Sequence, residues 1–429
     1  MGDTPRMPES DSVPRRLLLA GAIGSILEWY DFSVFGVFAV VLARVFFASD
    51  DEITALLSTF AVFGVGFLAR PIGAFAFGAY GDRLGRRRAL LLTILLMAVP
   101  TTLMAFLPTP ASIGVTATVL LIALRFVQGL SAGGEVAGGY TFLSEQGRPG
   151  HYARAVNWGA WVTFLGLALG AAVGATMTSM FPMSWVETWG WRIAFGLNLV
   201  LLAIAYTLRR GLVETPEFEQ LRASGATARN PVREAFATAP RQLVAGFLAS
   251  SYSSAAIYFV ATFMPAFLAM EDMLSITQAL LLTLLNVAAI VVCCFLGARL
   301  ADQFGARRVA ATTAGAMIVV ALPLWWLATR HEAALIVAGS LALSALLALY
   351  YVAQLTMVNR SFPTRVRYAG HSIAHNLASA VFGGSSALVA TFLLKTTGNV
   401  LAPISLVLLT SVIALASVWL YPRLYEGER

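Results

Sequence analysis

The sequence predicts an all-α polytopic membrane protein in which twelve transmembrane helices form two pseudo-symmetric six-helix bundles. Three observations carry that expectation. Hydrophobic residues are 58% of the chain and charged residues 12%, with a mean hydropathy of +0.77, whereas soluble chains carry roughly 25% charge. Apolar stretches of about 20 residues, each able to cross a ~30 Å hydrocarbon layer, recur along nearly the whole length. One short charged phrase also occurs twice, half a chain apart: Gly81-Asp82-Arg83-Leu84-Gly85-Arg86-Arg87-Arg88 and Ala301-Asp302-Gln303-Phe304-Gly305-Ala306-Arg307-Arg308. A duplication of this kind in a membrane chain places a binding site between two halves that rock against each other.

Charge and turn residues delimit each element. The first span, 16–46, follows Arg15-Arg16, a cytoplasmic anchor; Glu28 and Asp31 interrupt the apolar stretch and no small-residue cleavage site follows, so it is not a signal peptide. The second, 53–80, begins beyond Ser49-Asp50-Asp51-Glu52, and the third, 88–107, runs from the charged phrase to Pro108-Thr109-Pro110. The fourth, 113–143, and the fifth, 154–180, are glycine-rich and flank Arg148; the sixth, 190–209, ends in arginine. Residues 210–240 are polar and Arg-bearing and read as a cytoplasmic linker with a short surface helix. Spans seven to twelve follow at 241–268, 276–301, 308–328, 333–360, 367–394 and 400–421. The organisation is a cytoplasmic tail 1–15, a first bundle 16–209, the linker, a second bundle 241–421 and a tail 422–429.

The net charge of +7 does not mark a nucleic-acid partner. Arginines gather in alternate connections (Arg83 to Arg88, Arg148 and Arg154, Arg209 to Arg241, Arg307 and Arg308, Arg360 to Arg367), while the others are acidic or neutral. The positive-inside rule puts the basic set and both termini in the cytoplasm. Adjacent Cys293 and Cys294 sit inside an apolar helix and read as packing residues. Gly166, Gly170 and Gly174 repeat at i, i+4 and i+8, and Gly129, Gly133, Gly134, Gly138 and Gly139 crowd the fourth span; smooth faces like these pack closely or slide.

An ionisable side chain at membrane depth costs a few kcal/mol and needs a partner, a cavity or a function. Glu28 and Asp31 share one face of the first span, with Asp31 ~22 Å from the cytoplasmic end. Arg125, Gln128 and Glu135 lie near one stripe of the fourth span, Arg125 at a depth comparable to Asp31. A carboxylate beside Arg⁺ stays ionised, and it captures a proton when an anionic solute claims the arginine. Asp31, Glu28 and Glu135 are therefore the candidate proton sites, with Arg125 and Gln128 as solute-binding groups; Arg70 facing Glu135 reads as a cytoplasmic-side gate or structural pair. The second half offers His371, His375 and Asn376 in the eleventh span, Tyr351 and Gln354 in the tenth and Tyr252 in the seventh, with Trp158 and Trp161 of the fifth as a cavity wall or packing. No acid or Cys joins the two His, so neither a metal nor a cofactor is expected. Lys395, the only lysine, reads as a snorkelling anchor.

The repeated Asp-x-x-Gly-x-Arg-Arg loops resemble the signature of the major facilitator superfamily. Leu27-Glu28-Trp29-Tyr30-Asp31-Phe32, Arg125 through Glu135, Trp189-Gly190-Trp191-Arg192, Glu214-Thr215-Pro216-Glu217-Phe218 and Phe362-Pro363-Thr364-Arg365-Val366-Arg367 resemble its metabolite:H⁺ symporters, among them citrate, α-ketoglutarate, shikimate and proline/betaine carriers. The resemblance covers almost the whole chain. It implies that fold, alternating access, proton-driven uptake, a bacterial inner membrane and a functional monomer. It also assigns Asp31 and Arg125 to coupling and binding, and Asp82, Arg83, Gly85, Arg86 and Glu145 to a cytoplasmic gate, with Asp302 and Arg307 from the second loop. Gln303 and Ala306 replace arginines of the first loop, so the second gate network is expected to be weaker.

Arg125, two His and several amides and hydroxyls suit a carboxylate solute, and the stretch Thr59 to Tyr80 resembles the citrate carriers most. The alternative is a zwitterionic osmolyte held by Trp158, Trp161 and Tyr252 through cation–π contact. A membrane enzyme would need a nucleophile–base set, and a channel would need neither a duplicated gate nor a proton-linked carboxylate.

Overall fold

The computed structural model describes residues 15–47, 51–84, 86–145, 150–210, 231–362 and 366–421, and their side chains except at 15–23, 78–90, 134–139, 141–145, 208–209, 231 and 367–368. Gly85 and the side chains of Asp82, Arg83, Arg86, Glu135 and Glu145 therefore lie outside the described set, as do both tails and most of the expected linker. The described backbone is helical, with no strand.

Among the described residues ten helices are long and apolar enough to cross a membrane, and the bent pair Gly24–Val37 and Ala39–Phe46 supplies one more. The shorter apolar helix Leu91–Ala105 completes two sets of six. In chain order, the first span is the bent pair, turned by 60°; the second is Glu52–Phe77, the third Leu91–Ala105 and the fourth Thr116–Gly133, whose helix continues to Glu145. The fifth is Tyr152–Met180, the sixth Met183–Thr207, the seventh Pro240–Met270 and the eighth Ile276–Phe304. The ninth is Ala306–Ala328, the tenth Ala333–Ser361, the eleventh Ala369–Thr397 and the twelfth Ala402–Leu420. A surface helix, Pro231–Thr238, precedes the second set.

Glycine decides which helices touch. A Cβ at Gly129 would strike the Gly66 carbonyl, one at Gly133 the Arg70 carbonyl, and one at Gly73 the Leu130 carbonyl. The second and fourth spans thus meet backbone to backbone, the close approach that small residues permit where lipid supplies little apolar drive. The stripe Gly166, Gly170, Gly174 packs on Ile26, Ser33 and Val37 of the first span, and at Gly174 it also meets Leu280 of the eighth span, in the second half.

The halves meet at three levels. At the basic-loop end, Asp302 accepts hydrogen bonds from the backbone N–H of Ala153 (2.9 Å) and of Arg154 (3.4 Å), and lies 3.5 Å from Arg154 Nε. Those donors open the fifth span, whose own N-cap residue, His151, makes no side-chain cap bond. The second half therefore caps a helix of the first. Arg360 also stacks on Tyr152, 3.5 Å from the ring centroid. Arg307, half-buried, makes no ion pair with a described residue. At the opposite end Thr277 donates to Thr178 (2.8 Å). There Lys395 does not merely snorkel: it pairs with Asp51 and hydrogen-bonds Thr54, across the seam. The bonds from Lys395 and Thr54 hold the Asp51 carboxyl down at about 2.

Midway, the seventh and eleventh spans each contain a π-turn, Phe259–Phe263 and Ser379–Gly383. Such turns re-aim side chains and recur at functional sites. Here they flank Tyr258 and Ser379, which face the first half.

Candidate functional site

The backbone contact between the second and fourth spans brings two buried arginines to one place. Arg70 lies 4.3 Å from the Phe32 ring centroid and 4.5 Å from that of Phe67; Arg125 lies 5.0 Å from Phe32 and 4.3 Å from Phe35. Both guanidiniums thus lean on the single phenyl ring of Phe32, held by cation–π attraction in a site stripped of water. Arg70 belongs to this central cluster, where the sequence suggested a gate position. Its partner is Glu28, 3.3 Å away with both side chains buried, and it reaches Ser379 of the eleventh span at 3.5 Å.

Asp31 and Arg125 do not form the expected direct ion pair. A hydrogen-bonded chain runs between them. Thr101 of the third span donates to Asp31 Oδ2 (2.6 Å), Gln128 Nε2 donates to the Thr101 hydroxyl, and Arg125 Nη1 donates to Gln128 Oε1 (2.9 Å). All four side chains are buried. Arg70 Nε, Arg125 Nε and Arg125 Nη2 have no hydrogen-bond partner, nor has Asp31 Oδ1. Buried donors of this kind are rare and costly unless something visits them. Tyr258 closes the cluster from the second half, stacked on Trp29 at 5.9 Å and set edge-on to Phe67 at 4.8 Å, with its hydroxyl toward Arg70.

A second polar cluster lies where the fourth, tenth and eleventh spans meet. Tyr351 and Tyr140 join the halves hydroxyl to hydroxyl at 3.0 Å, with Thr163 3.1 Å from Tyr140. His371 accepts from Asn359 (2.8 Å), stacks near Tyr140 and sits edge-on to His375. Asn376 donates to Ser372 and to the Gly133 carbonyl. His371 Nε2, His375 Nδ1 and Asn376 Oδ1 remain unpartnered. Among the described residues no group of three metal-ligating side chains occurs.

Other candidates fall outside these clusters. Trp158 is 53% exposed, on one helix stripe with the exposed Leu165 and Leu169, and lies outside both clusters. Trp161 is half-buried beside it, with its indole N–H unpartnered. Gln354 is spent on Ser250 (2.9 Å) and Ser253 (3.2 Å), tying the tenth span to the seventh. Tyr252 is buried against Tyr350 at 4.7 Å, its hydroxyl unpartnered. Thr101, Tyr140 and Ser379 are central residues that sequence reasoning missed.

A profile of the Major Facilitator Superfamily matches residues 21–388. The chain is 34% identical to a citrate-proton symporter of Klebsiella pneumoniae over 388 residues, covering 89% of this chain and 85% of that one. It is 30% identical to an ectoine/proline transporter of Corynebacterium glutamicum, covering 91% and 81%. A solved structure of the xylose transporter of E. coli, partially occluded and inward open, superposes with a TM-score of 0.77 over 97% of this chain and 99% of that one, at 16% identity. The family match and these relatives, together with the helical fold, make this chain a transporter and not an enzyme. The chain belongs to the Major Facilitator Superfamily and is a multi-pass membrane transporter.

Proposed function

We propose that this transporter is a proton-coupled symporter that imports a small organic acid, a di- or tricarboxylate such as citrate, by alternating access. It sits in a bacterial inner membrane with both termini, and the basic-loop end of the bundle, facing the cytoplasm. The supporting observation is the pair of buried guanidiniums sharing Phe32, with nitrogen donors left unpartnered. A carboxylate takes two such donors in a fork, and a solute with two carboxylates serves both arginines. While ionised, Glu28 and Asp31 balance the cations; when solute carboxylates replace them, the displaced acids take up protons. His371, His375 and Asn376 offer their free atoms from the second half to the remaining polar groups of the solute.

Alternating access then needs the two ends to open in turn. The contacts of Asp302 and Arg360 at one end, and of Lys395 and Thr277 at the other, are the ones that must break in turn. A zwitterionic osmolyte is the second reading, supported by the ectoine/proline relative and by a proline/betaine transporter of Escherichia coli, 28% identical over 94% of this chain and 83% of that one. Its cationic group, however, would lie beside two guanidiniums, and its one carboxylate would leave one of them unserved. Competition against uptake into vesicles with an imposed pH gradient separates the readings: citrate and other di- or tricarboxylates should compete and betaine should not. Competition by betaine alone overturns the assignment. Asp31→Asn should abolish gradient-driven uptake and spare solute exchange; wild-type pH dependence in that variant removes Asp31 from coupling.

A further inference from the structure

The Thr101 hydroxyl has more neighbours than it can serve in one state. It lies 2.6 Å from Asp31 Oδ2 and 2.9 Å from the Met97 carbonyl, both acceptors, and it accepts from Gln128 Nε2. A hydroxyl has one proton and two lone pairs, so only one of the two acceptors receives its proton at a time. With Asp31 ionised, the proton must point at the carboxylate. With Asp31 protonated on Oδ2, the acid O–H donates to Thr101 Oγ1, which turns its own proton to Met97. The oxygen then accepts from both Asp31 and Gln128. In each arrangement the Thr101 hydroxyl is satisfied, and uptake of one proton by Asp31 with one rotation of the Thr101 O–H interconverts them.

Gln128 extends this arrangement to the solute site. Its Nε2 is anchored on Thr101, which forces its Oε1 toward Arg125 Nη1. A flipped amide would set N–H against guanidinium, so the Thr101 oxygen fixes which way Gln128 faces. The groups that titrate or carry charge around this point are Glu28 and Tyr30 on the helix of Asp31, Arg125 on the fourth span, Arg70 on the second through Glu28, and Tyr258 on the seventh. None of them touches Asp31 within hydrogen-bond reach; Thr101 does.

We propose that Thr101 is a positioning residue whose hydroxyl serves Asp31 in either protonation state while holding the Gln128 amide aimed at Arg125 in both, so that the proton site and the solute site are joined by a hydroxyl switch and not by a direct ion pair. The inference rests on the reading of Asp31 as a proton site, and the test separates the two.

The full-length chain, purified and reconstituted, is compared as wild type, Asp31→Asn, Thr101→Val and Thr101→Ser by infrared difference spectroscopy on acidification. The wild type should show a protonated-carboxyl band that Asp31→Asn removes. Thr101→Ser should keep the band in place. Thr101→Val, similar in size but without the hydroxyl, should move it to higher wavenumber, as a carboxyl that has lost a hydrogen bond. With citrate as probe, the ratio of gradient-driven uptake to equal-pH exchange should fall about tenfold in Thr101→Val, the scale of one hydrogen bond to a charged group, and recover in Thr101→Ser. If no band depends on Asp31, the proton-site reading fails and takes this inference with it. If the band depends on Asp31 but is identical in Thr101→Val, the inference alone is overturned. Failure of Thr101→Ser to restore the wild-type band also overturns it.

Discussion

Arg125 is held by one side-chain hydrogen bond, to Gln128, and by the faces of Phe32, Phe35 and Phe63. Arg125→Lys keeps the charge but loses the planar fork and the stacking on those rings. Its affinity for citrate should fall by about 10- to 100-fold, matching the loss of a charge-assisted hydrogen bond of ~1.5–3 kcal/mol; isothermal titration of the purified variant measures it. Glu28, Asp31, Arg70 and Arg125 were legible in the sequence because a charge in an apolar stretch is costly enough to demand a reason. Their pairing was not legible. Depth along a helix follows from counting residues, but facing requires the rotation of each helix about its axis, and so Arg70 meets Glu28 and Asp31 meets Thr101. A threonine in an apolar helix gives no signal, since its hydroxyl can settle on the carbonyl four residues back, as Thr101 does in part on Met97.

Among the elements, the second and fourth spans act as one unit. A methyl group at Gly129 would collide with the Gly66 backbone, which cannot give way as a side-chain end can. Gly129→Ala should therefore cost about 1–3 kcal/mol of overpacking strain, lower the thermal midpoint in detergent and weaken citrate binding, because the same contact aligns Arg70 with Arg125. A change at Gly114 or Gly398, where nothing lies within 4 Å of a Cβ, offers no such collision; only the positive φ is strained there. Twelve spans were readable from apolar length and turn residues. The glycine stripes were visible too, yet their partners were not, since the fifth-span stripe serves the first span along most of its length and meets the other half at Leu280. The π-turns in the seventh and eleventh spans have no composition signal that would have placed them.

For the whole molecule, the two ends close by different chemistry. At the basic-loop end, Asp302 caps the fifth span from the opposite half. Asp302→Ala should weaken that closure by ~0.5–2 kcal/mol, while Asp302→Asn, an equally good cap, should preserve much of it; protease accessibility of the basic loops reads the difference. At the other end the Asp51 carboxyl sits at about 2, below its ordinary range near 3.8. A depressed carboxylate contributes above the ordinary value and loses that contribution as pH falls toward 2. Between pH 5 and 8 the Lys395 link is therefore constant, so Asp51→Asn should alter the turnover rate without changing the shape of the pH profile over that range. The duplicated loop made the two-half architecture legible, whereas the chemistry of each closure depended on which loop residues meet. Lys395 has one more consequence. The chain has no other lysine, so acylating reagents have a single side-chain target, half-exposed and bridging the seam. Acylation turns that ammonium into a neutral amide and cuts its link to Asp51, so the reagent itself tests this closure with no substitution in the chain.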